Sequence, residues 1–227
     1  MCGRVTQHRR RIKYASEVGW AADYLKWLGD RVADYNVAPG SWPWLMHTLH
    51  EGKESIDTVH WGYRPEWAIE KGLPEQINAR VESAVSKPYY RGLMRTGRVI
   101  VPADGWYEWT GEKGHKQPWY IRLKSDRPMF LAALTNWRPY TASKPGTGFV
   151  IVTEQSDAGM VDVHDRRPVV LAADDARSWM DNSRPAEQAE QLARSCSLPP
   201  DAFEWYRVST DVNSTQNDSR HLIEPVS

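Results

Sequence analysis

The stretch Arg98-Val99-Ile100-Val101-Pro102-Ala103-Asp104-Gly105-Trp106-Tyr107-Glu108-Trp109 decides the fold class. Its β-branched and aromatic runs predict two strands, Arg98–Pro102 and Trp106–Trp109. Toward the carboxyl end, Trp119–Leu123, Met129–Leu134 and Phe149–Thr153 have the same character, and Gly111-Glu112-Lys113-Gly114 reads as a hairpin loop. Toward the amino end, Trp44–Leu49 and Thr58–Tyr63 read as a β-pair bridged by the polar turn Glu51-Gly52-Lys53-Glu54. Helices are fewer. Val18, Ala21, Ala22, Leu25 and Leu28 recur at helical spacing over Tyr14–Leu28 and stop at Gly29, and Ala172–Asp181 and Pro185–Arg194 follow late in the chain, before a last strand at Phe203–Val208. Regular βαβ alternation is missing, so the class is α+β: one strand-rich mixed-sheet domain over 1–227 with peripheral helices. No repeat, low-complexity tract or linker divides it.

Composition narrows the function. Hydrophobic residues make up 41% and charged residues 26%, and no apolar run reaches the ~20 residues that span a bilayer. The polar continuation Thr6-Gln7-His8-Arg9-Arg10-Arg11 lacks an apolar signal core, so a cytoplasmic location is expected. Lys plus Arg equals Asp plus Glu at 29 each, which disfavours a generally basic coat for nucleic acid and makes any polyanion site local. The Arg9-Arg10-Arg11 run has two readings, a supplement to backbone binding or, as is more common for a like-charge run, a solvated face. Cys2 and Cys196 are the only cysteines, too few for a disulfide framework or a Cys-rich metal site, and Cys196 reads as a free residue in a late helical region. Most of the twelve Trp serve the core, and one or two can stack on bases.

Chemistry concentrates at the start. A small side chain at position 2 normally permits removal of Met1, which makes Cys2 the amino terminus. An amino-terminal cysteine is a 1,2-aminothiol whose α-amine, with a reference pKa of about 7.7–8.0, attacks an aldehyde more readily than a lysine at about 10.4. Its thiol then closes onto the imine carbon to give a five-membered thiazolidine.

Four polar clusters accompany it. Tyr35-Asn36-Val37-Ala38-Pro39-Gly40 reads as a turn, with Asn36 and Pro39 fixing the backbone. In Ile77-Asn78-Ala79-Arg80-Val81-Glu82 the polar residues Asn78, Arg80 and Glu82 alternate with apolar ones and share one side of an extended segment. Glu108 lies between two aromatics, which raises a carboxyl toward neutrality and suits a proton shuttle. His164 in Val163-His164-Asp165-Arg166-Arg167-Pro168 can hydrogen-bond a sugar oxygen or move a proton. Each also has a purely structural reading: a loop histidine, an exposed strand carboxylate beside a lysine, a surface Arg80/Glu82 pair.

Taken together, Met1-Cys2-Gly3-Arg4, Tyr35–Gly40, Trp61-Gly62-Tyr63-Arg64-Pro65-Glu66-Trp67, Asn78–Ser83, Asp104–Trp109, Ile151-Val152-Thr153 and His164–Pro168 closely resemble the SRAP (SOS-response-associated peptidase) family, from Cys2 to about Val226. The resemblance implies recognition of single-stranded DNA and a covalent thiazolidine crosslink to abasic sites, which shields them in the DNA damage response, by a monomer without cofactor or metal. It makes Cys2 the nucleophile, Asn78 the group positioning the amino terminus and the substrate, Glu108 the acid/base, and His164 the aid to opening the deoxyribose ring. It also implies DNA-backbone contacts at Arg4, Arg80 and Arg166, a further contact at Thr153, and base packing by Trp67. The chain departs from the pattern at two places. Tandem Trp is replaced by Trp67-Ala68, and the spacing from Asn78 to Lys87 is shortened by one.

Two other functions compete. A thiol autopeptidase would use Cys2, Glu108 and His164 to cleave a preceding segment, and with Met1 alone before Cys2 that activity is not needed. A non-enzymatic reader of modified DNA bases would use Trp67 and the arginines and leave Cys2 and Glu108 without a task.

Overall fold

The computed structural model describes residues 2–21, 32–112 and 114–226. Among these, thirteen strands form two sheets with six α-helices around them, an α+β architecture. The strands are β1 (Val5–Gln7), β2 (Asp34–Val37), β3 (Trp44–His50), β4 (Lys53–Thr58), β5 (Asn78–Arg80), β6 (Arg98–Ala103) and β7 (Gly105–Thr110). Then come β8 (Gln117–Leu123), β9 (Met129–Thr135), β10 (Phe149–Gln155), β11 (Arg166–Pro168), β12 (Val170–Leu171) and β13 (Phe203–Arg207). The helices are α1 (Arg11–Glu17), α2 (Glu66–Glu70), α3 (Val81–Ala84), α4 (Arg91–Thr96), α5 (Ala173–Met180) and α6 (Ala186–Ser195).

One sheet runs β13-β8-β7-β1-β2, the other β11-β10-β9-β6-β3-β4, with β5 added beside β10 and β12 beside β9. The continuous apolar runs are strands buried on both faces. Val99 and Val101 of β6, Leu131 and Ala133 of β9, and Phe149 and Ile151 of β10 pack toward Trp106 and Ile121 of the smaller sheet. Their alternates Ile100, Ala132, Leu134, Val150 and Val152 pack against residues of α1, α3, α4, α5 and α6 on the opposite side. The larger sheet is therefore the middle layer of three.

The stretch from Arg98 to Trp109 is where the chain crosses from one sheet to the other. Gln7 Nε2 donates to Trp44 O at 3.0 Å and Pro102 O at 2.8 Å, so a side chain of β1 ties the smaller sheet to strands of the larger. Asp104, 5% exposed at the crossing, accepts from Tyr14 Oη at 2.6 Å, Arg9 Nε at 2.7 Å and the His8 amide at 2.8 Å. Gly105 must be glycine, because a Cβ there would overlap the Tyr120 ring.

Several sequence expectations need correction. The first helix is α1, which stops at Val18 and Gly19, the latter at φ 72°, so it starts before Tyr14 and ends well before Leu28. The predicted stop at Gly29 lies outside the described residues, as do Met1 and Lys113. The β3–β4 turn is Glu51-Gly52 alone, both at positive φ, and pairing resumes at His50 with Lys53. The second strand is thus Lys53–Thr58 and not Thr58–Tyr63; it is a polar sheet edge with only Ile56 buried, which hid it from apolar patterning. Asn36 stands in β2, and the turn follows it. Extended backbone from Asn78 ends at Arg80, and Glu82 sits in α3. Arg9 is committed to Asp104 and Asp126, the latter at 3.0 Å, and is not part of a solvated basic face. Cys196 follows the end of α6 as a free thiol, as expected.

Candidate active site

Alternation along β7 explains the position of Glu108. Trp106 points into the apolar layer between the sheets and Tyr107 to the far side of the smaller sheet, so Glu108 shares the inward face. It is only 3% exposed, and burial pushes its carboxyl from the ordinary 4.5 up to about 7. Cys2, fully buried, packs in the same layer. Burial drives the Cys2 thiol well up, and the neighbouring Glu108 carboxylate adds to that.

The parallel pair β5–β10 builds the opposite wall. Its register sets Asn78 beside Ile151 and Arg80 beside Thr153. Asn78 Nδ2 donates to the Cys2 carbonyl at 2.9 Å, and Tyr90 Oη donates to the Asn78 carbonyl at 3.1 Å. Asn78 Oδ1 is buried and has no hydrogen-bond partner among the described residues, leaving one acceptor available beside the Cys2 backbone.

His164 lies just past the one-turn helix Ala158–Asp162, with Nε2 4.0 Å from Glu108 Oε2. Its Nδ1 accepts the Arg166 amide at 3.0 Å and also lies 2.8 Å from the exposed Asp165 carboxylate. With Nδ1 accepting, the neutral ring carries its proton on Nε2, the atom nearest Glu108. Burial lowers the imidazole below its ordinary value, and Lys116 contributes in the same direction. A carboxyl near neutrality beside an imidazole that prefers to be neutral can pass protons in both directions around pH 7.

Four predicted residues thus come together: Cys2, Asn78, Glu108 and His164. The predicted contact residues differ among themselves. Arg166 is largely buried, bound to Glu82 at 2.5 and 3.0 Å and to Thr153 O at 2.7 Å. The Arg166 bonds hold the Glu82 carboxyl below its usual range. Thr153 is 1% exposed, its hydroxyl turned to Ala79 O at 3.4 Å. The Arg80 side chain is exposed and makes no hydrogen bond or ion pair among the described residues, while its charge helps to hold the Glu82 carboxyl down. Arg4 donates through Nη1 to Asn36 Oδ1 at 2.5 Å and Val212 O at 2.7 Å, and lies 5.7 Å over the Trp109 ring. Trp67, on α2, packs edge-on against Tyr89 at 4.9 Å with Lys71 above it, apart from the four central residues. Ala68 is fully buried, so no second ring projects there.

Sequence reasoning missed Tyr90, Asn36 as the anchor of Arg4, and Lys116. Each acts across 12 or more residues of chain, and a backbone-directed hydroxyl or an isolated lysine leaves no local pattern.

The sequence profile described as "SOS response associated peptidase (SRAP)" matches residues 1–215. The chain belongs to the SRAP family. Among its relatives, the abasic site processing protein YedK of Escherichia coli is 37% identical over the full length of both chains. The abasic site processing protein HMCES of Gallus gallus is 27% identical over all of this chain and 78% of its own. The solved structure of a phage-related protein from Bordetella bronchiseptica superposes with a TM-score of 0.79 at 37% identity, covering 92% of this SRAP chain and 95% of that one. Among the described residues no helix is long and apolar enough to cross a membrane.

Proposed function

We propose that this SRAP protein processes abasic sites in single-stranded DNA by trapping the sugar aldehyde as a thiazolidine on Cys2, once Met1 has been removed. The observation that carries the reading is the Cys2 backbone tied to Asn78 beside a buried carboxyl with a pKa of about 7. Relatives named abasic site processing proteins support the same substrate.

The chemistry balances without oxidant or cofactor. An abasic deoxyribose is mostly a closed hemiacetal, so His164 and Glu108 together move one proton off its C1′ hydroxyl and one onto the ring oxygen, which frees the aldehyde. The Cys2 amine adds to C1′, and protonated Glu108 donates to the departing hydroxyl, which leaves as water and gives the imine. Sγ then bonds to C1′ while its proton passes through Glu108 to the nitrogen. One water is lost in all. Asn78 Oδ1 can accept from the amine or from a sugar hydroxyl during these steps. Arg80 and Trp67 are assigned to the DNA strand. Arg4, Arg166 and Thr153 border the path, with Arg166 and Thr153 acting through the wall they build. The protein works as a monomer in the cytoplasm, wherever DNA is unwound there.

The thiol's environment supports this over the peptidase reading. Burial keeps Cys2 protonated at neutral pH, the reverse of what a thiolate nucleophile needs, whereas ring closure needs the thiol only after the amine has reacted. The test is a denaturing gel of mature protein with a uracil-excised oligonucleotide, without reductant, and the adduct's mass. A heat-stable band weighing protein plus DNA minus one water is expected. No such band, or an active preparation that retains Met1 throughout, would end the proposal.

A further inference from the structure

Asn78 holds the Cys2 carbonyl, yet little holds Asn78. Its strand β5 is three residues long, runs straight into α3, and pairs among the described residues with β10 alone. Successive carbonyls of a strand point to opposite edges. Ile151 N donates to Ile77 O at 3.0 Å and Trp61 Nε1 donates to the same oxygen at 3.1 Å, so the Ile77 carbonyl faces β10 and the Asn78 carbonyl faces away from it. No strand covers that side among the described residues. The Tyr90 hydroxyl takes the place of one, donating to Asn78 O at 3.1 Å.

Tyr90 itself is firmly placed. Its amide donates to Lys87 O at 2.9 Å and its carbonyl accepts the Met94 amide at 2.9 Å, which fixes it directly ahead of α4. The side chain is buried with Leu93 and Met94 in the helix-covered core, and the Tyr89 ring lies 5.6 Å from its own. Burial pushes the phenol up to about 12, so the group stays an uncharged donor throughout the range in which Glu108 titrates. Among the described residues the hydroxyl bonds to the Asn78 main chain and to none of Cys2, Glu108 or His164. It therefore moves no proton there.

We propose that Tyr90 is a positioning residue for the Cys2 reaction, one that acts through Asn78. The hydroxyl fixes the peptide plane that follows Asn78 and with it the direction of the Asn78 side chain, which carries Nδ2 to Cys2 O at 2.9 Å and keeps Oδ1 beside the Cys2 backbone. Without that bond the short strand can drift. A displacement well under an ångström is enough to slow attack by the amine, because the reacting atoms must be held close to their geometry of reaction by groups that are themselves held. The inference rests on the Cys2 chemistry proposed above.

Tyr90→Phe deletes the hydroxyl and keeps the ring. Single-turnover adduct formation on a labelled, uracil-excised oligonucleotide is followed over a range of excess protein for wild type, Tyr90→Phe, Asn78→Ala and the double variant. Tyr206→Phe is the control, since its hydroxyl likewise donates to a backbone carbonyl, Ile223 O at 2.9 Å. Tyr90→Phe should lower the limiting rate about tenfold, by the same factor between about pH 6 and pH 8, and leave the half-saturating concentration within about twofold. In the Asn78→Ala background the same change should matter less than about twofold, because no side chain is left to position. A bond that served stability alone would lower the urea midpoint and leave the rate as it was. Tyr90→Phe reacting as wild type, losing no more than Tyr206→Phe, or losing the same factor with and without the Asn78 side chain overturns the proposal. The Asn78 side-chain amide signal in a proton–nitrogen correlation spectrum, read without DNA, separates this inference from the covalent reading. Wild type that forms no adduct refutes the Cys2 chemistry; an Asn78 signal displaced in Tyr90→Phe and not in Tyr206→Phe would still support the positioning, and an unmoved signal would overturn it.

Discussion

Replacing Glu108 by Gln should stabilise the protein at alkaline pH and change little at pH 5, because the folded carboxyl resists ionisation. Burial raises it from 4.5 to about 7 with 3% of its surface exposed. A folded-state value above the unfolded one means that the neutral acid is tolerated below about 4.5. Stability is then lost as pH rises, until the buried group itself ionises near 7. A gap of about 2.5 in pKa, at 1.36 kcal/mol each, bounds that loss at about 3 kcal/mol. Gln keeps the shape and never ionises. The advantage of Gln in unfolding free energy should therefore grow by about 2–3 kcal/mol between pH 5 and pH 8.5 and level off above about 7.5. Urea unfolding followed by tryptophan fluorescence measures it, with m unchanged across the series. Parallel stability curves for the two proteins would refute the reasoning, since Glu108 would then ionise as easily folded as unfolded. The same variant should slow adduct formation by about 10²–10⁴, so one substitution raises stability and lowers activity.

Cys2→Ala should abolish the heat-stable adduct yet leave an imine that borohydride traps, because the amine survives without the ring-closing thiol; equal stable adduct in both proteins would sink the thiazolidine. Arg80→Ala should lower the salt slope of single-strand binding by about 0.7 with unchanged stability. Arg166→Ala should instead cost about 1–3 kcal/mol in urea unfolding, since Glu82 and Thr153 O lose their donor; identical phenotypes would contradict their different burial. Gly105→Ala should destabilise strongly by forcing a methyl into Tyr120, and a variant with wild-type Tm would show that the crossing can relax.

Much of this was legible from sequence wherever burial wrote a periodic signal. Strands β6, β9 and β10 carry continuous apolar runs where both faces are covered, and the ends read from those runs lie within two residues of the observed ones. The exposed edge β4 carries little apolar patterning, and α1 is a seven-residue helix cut off by a positive-φ glycine, so propensity overran both. At the site, Cys2, Asn78, Glu108 and His164 were visible as residue types, but which arginines are open was not. Arg80 and Arg166 look equivalent in the chain. Only the register β10–β11 and the start of α3 bring Glu82 onto one of them. Ion pairing between distant segments leaves no trace in local sequence.

The two faces of β7 suggest how the proposed selectivity arises. Glu108 and Cys2 occupy an apolar layer where a phosphate would lose its hydration without a matching charge, a cost of several kcal/mol. Cations stand at the borders: Arg80 on one wall, Arg4 over the Trp109 ring on the opposite face of the sheet. A DNA strand can satisfy both conditions only if its phosphates stay outside while a single uncharged sugar turns inward. An intact nucleotide would have to bring its base into a layer that Cys2, Trp106 and Ile151 already fill. Discrimination then needs no donor or acceptor that reads a base. It follows from charge kept outside the layer and from a terminal amine that, in the proposed reaction, needs an aldehyde.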